Sequence, residues 1–238
     1  MSASSLLRQS NGDLIVGGQG YYTTETSPIN RQQHFFSWLA RLTPSGRLDD
    51  SFGHSGVVFS EGPTNWHGSI LEPRPRGLLV IGATGEANHE QITVWGLSNR
   101  GALDPSYGSG GELAVPDASD QIQEYPTAAT VDHTHRLLIA ASSGLRTRPD
   151  LVRITPNGRL DHSFGQEGIT QGPPQSSFRA LAVEPSGRIL AAGALEPENP
   201  EPGNGGALEQ RGLQGEDALF ERFLATNPKS SPHRTRKP

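Results

Sequence analysis

One nine-residue stretch, Leu-Asp-x-Ser-aromatic-Gly-x-x-Gly, constrains this chain more than any other feature, because it occurs three times, at residues 48–56, 103–111 and 160–168. Its aromatic residues are Phe52, Tyr107 and Phe164, spaced 55 and then 57 residues apart. A fixed period of that length marks one supersecondary unit used repeatedly, and the unit must be understood before any local motif is read.

Each unit opens with two short apolar runs around a tight turn. Leu6-Leu7-Arg8-Gln9 leads through Ser10-Asn11-Gly12 into Asp13-Leu14-Ile15-Val16-Gly17-Gly18, and Asn-Gly reads as a two-residue hairpin turn. The second run returns at residues 77–82, 136–141 and 188–193, so four openings imply four units. A third apolar strand follows at 36–42, 92–97, 151–154 and 218–223. In the first three units it turns through Pro44-Ser45-Gly46, Asn99-Arg100-Gly101 or Pro156-Asn157-Gly158, where glycine closes the turn. The nine-residue stretch comes next, and short fourth strands at 57–59, 112–114 and 168–170 end these units. Four antiparallel strands in roughly 57 residues are the pattern of a propeller blade. The expected fold is therefore all-β, a four-bladed β-propeller-like repeat domain over residues 1–226, with repeats at about 5–66, 67–123, 124–177 and 178–226 and a basic Ser/Pro tail at 227–238.

The fourth unit departs from the pattern. Beyond Phe223 there is no Leu-Asp-x-Ser-aromatic-Gly and no fourth apolar run, and only five residues precede Leu6 to supply the missing strand. An incomplete fourth blade with an open edge is expected, and an open edge invites covering by the tail, by another chain or by a longer parent protein.

Composition narrows the function classes. Hydrophobic residues make up 33% of the chain, but 29 glycines bring it near an ordinary globular balance. The net charge is -5, and Lys229, Arg234, Arg236 and Lys237 contribute +4 of it at the C-terminus, so the body carries about -9. An acidic body argues against nucleic acid as a partner. With no cysteine, thiolate metal sites, disulfides and cysteine nucleophiles are excluded. No apolar run approaches a membrane span, and residues 1–5 do not form a Sec-type signal. The expectation is a soluble chain, cytoplasmic or exported by a non-Sec route.

Asp and Ser two residues apart can bond nearby backbone amides and pin an irregular turn, and the aromatic can then plug the gap between units. Arg41, Arg153 and Arg222 share one strand position and are expected to make equivalent bonds between strands or blades. Gly53-His54-Ser55-Gly56 lacks the closing glycine of a nucleophile elbow and reads as a repeat turn. Asp132-His133-Thr134-His135 occupies a hairpin turn, and no third metal ligand is identifiable. No phosphate-cradling glycine loop or dinucleotide fingerprint is present. Neither a metal nor a cofactor is expected.

The units resemble the bacterial delta-60 repeat family, most clearly at residues 180–193 and 153–165. There an apolar strand, a Pro-x-Gly turn, a second strand ending in Ala-Gly, and an Arg-containing strand closing on Leu-Asp-x-Ser-Phe-Gly stand in order. The resemblance implies a propeller-like fold and no catalytic residues.

In such a fold the loops between strands two and three, and those from strand four to the next blade, gather on one face. Here they span 19–35, 60–69, 83–91, 115–126, 142–150, 171–178 and 194–217, and they vary in length. Variable loops on a rigid scaffold are where function is usually placed. Candidate ligand-binding residues are Trp66, His67, Tyr21, Tyr22, Tyr125, His89 and Arg146, with His34 and Arg148 beside them. Aromatic rings next to polar groups suit a glycan or a protein side chain. The sequence reading is a non-enzymatic binding module for a glycan or protein. A self-assembly unit pairing through the open edge of blade four, and hence a homo-oligomer, is the alternative, and a propeller-type hydrolase or lyase ranks third.

Overall fold

Short β-branched and leucine-rich runs separated by glycine-closed turns fold into antiparallel meanders. The computed structural model describes residues 1–27, 30–61, 70–84, 91–116, 124–143, 148–174, 176–195 and 218–223. The first sheet holds β1 (Ser2–Arg8), β2 (Leu14–Ser27), β3 (Asn30–Leu42) and β4 (Val57–Glu61). The second holds β5 (Ile70–Arg74), β6 (Gly77–Thr84), β7 (Gln91–Ser98) and β8 (Glu112–Ala114). In the third are β9 (Glu124–Val131), β10 (Leu137–Ser143), β11 (Asp150–Ile154) and β12 (Ile169–Gln171), and in the fourth β13 (Ser176–Val183), β14 (Ile189–Leu195) and β15 (Ala218–Phe223). Strands follow chain order within every sheet, and all pairings are antiparallel.

Two local expectations need correction. The Ser10-Asn11-Gly12 turn has three residues, not two: Gln9 N–H bonds Asp13 O at 2.8 Å, Gly12 N–H bonds Gln9 O at 3.0 Å, and only Gly12 takes a positive φ, +91°. This is a type I turn closed by a left-handed residue, which a three-residue hairpin prefers. In the third sheet the left-handed place is taken by His135 at φ +62°. There the Asp132 carboxylate accepts the N–H groups of Thr134 and Arg136 and the Arg136 Nε, so Asp132-His133-Thr134-His135 is a capped turn. The second correction concerns residues 19–35, expected as a loop. Residues 19–27 and 30–35 belong to β2 and β3, which run 14 and 13 residues and stay paired from Leu14↔Leu42 out to Ser27↔Asn30.

The sheets stack through three apolar joints, and side-chain alternation assigns each joint its residues. On every second strand one set of positions faces the preceding sheet and the other set the following one. Ile15 of the first sheet meets Leu78 and Val80 of the second, together with Leu39, Phe52, Trp95 and Leu97. Leu79 and Ile81 meet Leu137 and Ile139 of the third, and Leu138 and Ala140 meet Ile189 and Ala191 of the fourth. First strands are neighbours in series, β1 beside β5, β5 beside β9, β9 beside β13. No strand of the first sheet packs comparably on the fourth. The described residues therefore form an all-β stack of propeller-like sheets that is not closed into a ring.

The repeated nine-residue stretch builds the joints. Arg41 Nε donates to Asp49 Oδ2 at 2.7 Å and its Nη2 to Ser51 Oγ at 2.8 Å, while its Nη1 crosses the joint to the carbonyl of Asn99 at 2.5 Å. Its guanidinium lies 4.8 Å from the centroid of Phe52, which is fully buried. Arg153, Asp161, Ser163 and Phe164 repeat the arrangement, with Nε to Oδ2 at 2.8 Å and the guanidinium 4.5 Å from the ring centroid. Gly53 N–H reaches Arg100 O, and Gly108 N–H reaches Asn157 O, each at 2.8 Å across a joint. The structural reading of the stretch and of Arg41 and Arg153 holds; Arg222 has no described side chain.

The second sheet solves the same problem differently. Gly96 stands where the others have arginine, and a Cβ built on it would lie 2.4 Å from Arg74 Nη1 and 2.6 Å from Tyr107 Cγ. Arg74, at the end of β5, fills the space instead, pairing with Asp104 and lying 5.2 Å from the Tyr107 centroid. Breaking a buried ion pair from one side costs about 3–5 kcal/mol. Arg74→Ala should therefore lower unfolding free energy by about 3 kcal/mol, and adding Gly96→Arg to that variant should recover much of it, read from urea-unfolding midpoints. A double variant no more stable than Arg74→Ala would show that the two positions do not share one socket.

Candidate binding face

The glycines of β2 and the aromatic residues of β3 shape the first sheet's outward side. Gly18 pairs with Trp38 and Gly20 with Phe36, and a Cβ built on either glycine would fall 2.7 Å from Trp38 Cζ2 or 2.6 Å from Phe36 Cζ. Glycine is needed there so that the two rings can lie flat on the opposite strand. Two residues further out, Tyr22 pairs with His34, and the rings stack at 4.8 Å with planes 13° apart. Phe36 continues the row, 6.4 Å from Tyr22 and edge-on to Phe59 at 5.9 Å. His34 Nε2 lies 2.8 Å from Thr24 Oγ1.

The row is open to solvent at Tyr22 and Phe59, with Phe36 buried between them. Tyr22 is 43% exposed and Phe59 59% exposed. It also overhangs the stack: β2 has 14 residues, whereas the second strands of the other sheets have 8, 7 and 7. Everything beyond Gly20 thus projects past the length at which sheets face each other.

Among the predicted site residues, Tyr22 and His34 come together in this row. Tyr21 is exposed on the opposite face of the same strand, since successive side chains alternate. Tyr125 sits half-buried on β9 of the third sheet, with the second sheet intervening, and Arg148 is exposed beside β11. Trp66, His67, His89 and Arg146 lie outside the described residues. Phe36, Trp38 and Phe59 were missing from the sequence-derived set. Their signal was present: aromatic residues at 36 and 38 stand opposite glycines at 20 and 18, but only if 19–35 is read as hairpin and not loop.

The carboxylates of the joints are held ionised. Hydrogen bonds from Ser51 pull the Asp49 carboxyl below its ordinary value, and Ser106 does the same for Asp104. For Asp161, burial pushes upward but is outweighed by Ser163 and Arg153. In contrast, burial raises half-buried Glu72 on β5 from 4.5 to about 7. A perturbed carboxyl is a feature of acid–base sites, yet among the described residues no group of three His, Asp or Glu side chains could hold a metal ion. Nor, among those residues, is any helix long and apolar enough to cross a membrane.

The signs follow from linkage. Depressed Asp carboxyls add stability that is present above their ordinary value of 3.8 and lost as pH falls through the lower folded value. Glu72, raised, adds stability that is full below 4.5 and lost as pH rises through about 7. Thermal melting should therefore peak near pH 4–5.5 and decline toward pH 8, and Glu72→Gln should remove the decline on the alkaline side. An unchanged alkaline limb in that variant would show that Glu72 titrates at its ordinary value.

The comparison with known proteins agrees with the geometry at the level of fold. A family described as "Domain of unknown function (DUF5122) beta-propeller" matches residues 136–164, which run from the start of β10 to the plug residue Phe164. No curated protein matches the chain. The matched stretch holds the second and third strands of one unit with its Arg153, Asp161, Ser163 and Phe164, and it is similar to a propeller repeat.

Proposed function

We propose that this chain is a non-enzymatic binding module, built from propeller-like repeats of the delta-60 type, that recognises a glycan through the aromatic row on its first sheet. The observation that carries this reading is the Tyr22–His34 stack, exposed and projecting past the sheet stack on paired strands. A flat ring face flanked by a hydroxyl and an imidazole offers stacking to the apolar face of a sugar and hydrogen bonds to its hydroxyls. A hydrogen-bonded hairpin presents that surface on paired strands, which lowers the ordering cost that a loose loop would incur. A protein ligand is the second reading, favoured by the apolar end of the row at Phe59.

Fluorescently labelled protein applied to a broad glycan array tests the proposal, with the variant Tyr22→Ala as its pair. Loss of one aromatic stacking contact, worth about 0.5–1.5 kcal/mol, should weaken a sugar signal by up to about tenfold. Exposed surface changes stay within about 0.5 kcal/mol, so the melting temperature should hold. A sugar signal equally strong in Tyr22→Ala would place recognition elsewhere. No sugar signal from folded protein would overturn the glycan reading.

A further inference from the structure

The rule that orders the three joints also identifies two faces left over. Positions 14 and 16 of β2 are the equivalents of Leu78 and Val80 on β6 and of Leu137 and Ile139 on β10, which face the preceding sheet and are buried. On the first sheet no other sheet of the described residues covers Leu14 and Val16, which are only half-buried, as are Ala40 and Leu42 beside them. Leu6 is 66% exposed, whereas its equivalent Leu71 is 7% exposed. At the other end, Leu190 of β14 is the equivalent of Leu138 on β10, which faces the following sheet. Leu138 is fully buried and Leu190 is 39% exposed, with Ala180 and Ala182 exposed on the same face of β13.

The glycines of the turns after the third strands carry the same mark. A Cβ on Gly101 would fall 2.7 Å from Val58 Cγ2 and 3.0 Å from Phe52 of the preceding sheet, and one on Gly158 would fall 2.5 Å from Gly108 N and 2.8 Å from Tyr107. Gly46 takes the same backbone angle, φ +80°, yet nothing lies within 4 Å of a Cβ built there. The first sheet is built to receive a preceding sheet, and the fourth to face a following one. Solvent-facing sheet surfaces ordinarily alternate with polar residues, and leucine, valine and alanine across paired strands do not fit that role.

We propose that these two faces dock on each other between chains, the fourth sheet of one copy covering the first sheet of the next in a head-to-tail arrangement. The occupant is a second copy because the chain already shows what covers a face of this kind, and the described residues present one uncovered face of each type. Within one chain the first and fourth sheets are not in contact as neighbours are. The contact is heterologous, so it leaves one free face at each end and permits species larger than a dimer. It uses Leu6, Leu14, Val16 and Leu190; Tyr22 and His34 lie on the same face of the first sheet but beyond Gly20, past the length at which neighbouring sheets meet, so the docking does not rest on the glycan reading.

Two variants measured singly and mixed give a decisive test. Leu6→Arg places a charge on the receiving face and Leu190→Arg on the opposite face, both at exposed positions, with Leu6→Ser and Leu190→Ser as milder replacements should either arginine variant melt early. Light scattering should show wild-type mass rising with concentration and each variant monomeric. An equimolar mixture of the two variants should give a species of two chains, because each supplies the face that the other retains. Tyr22→Ala should associate as wild type does. A wild type that stays monomeric at the highest soluble concentration, single variants that still associate, or a mixture that stays monomeric would each overturn the proposal.

Discussion

The guanidinium at each joint is the interaction on which the rest depends. Arg41 and Arg153 are each held by an aspartate and a serine of their own sheet and Arg74 by Asp104, and each lies over the aromatic ring that seals the gap to the next sheet. Arg153 is 1% exposed. A buried charge is tolerated only where its donors are met, so the Asp-x-Ser spacing and the ring position are fixed together. Once Arg41 also reaches the Asn99 carbonyl, the turn of the following sheet is fixed too. Sheet spacing, the flat approach of the next turn and the need for glycine at Gly101 and Gly158 all follow from that one group.

Much of this was legible in the sequence because the repeat displays the joint three times. The recurrence of Asp, Ser, aromatic and glycine at a fixed period identified a structural device, and the leucine- and valine-rich runs placed the second and third strands of the later three sheets within a residue or two, but not the long strands of the first sheet. The shared position of Arg41 and Arg153 was visible for the same reason.

Other features were hidden by the limits of pattern reading. Gly96 breaks the arginine column, and nothing in its own strand shows that Arg74, from the preceding hairpin, fills the space; that exchange exists only in three dimensions. Residues 19–35 are rich in threonine and glutamine, a composition that reads as loop. Cross-strand pairing of Gly18 with Trp38, Gly20 with Phe36 and Tyr22 with His34 keeps them extended, because each ring gains a flat surface to cover. The aromatic row therefore arises from the same glycine–aromatic complementarity that seals the joints, used on an outward face. Both surplus joint faces and the row sit on a scaffold whose interior the plugs have already rigidified, which leaves the outward surfaces free to serve recognition and association.

The most direct measurement of the joint account compares Gly46→Ala, Gly101→Ala and Gly158→Ala by equilibrium urea unfolding of dilute protein. All three glycines have nearly the same backbone angle, φ +80°, +79° and +74°, so the strain of a left-handed alanine, about 1–2 kcal/mol, is common to them. Only Gly101 and Gly158 face a neighbour's ring or backbone. The account predicts that these two lose about 1–3 kcal/mol more than Gly46 does, the cost of overpacking a close contact. Equal losses at all three would contradict it, since the aromatic plugs would then not be seated on those turns.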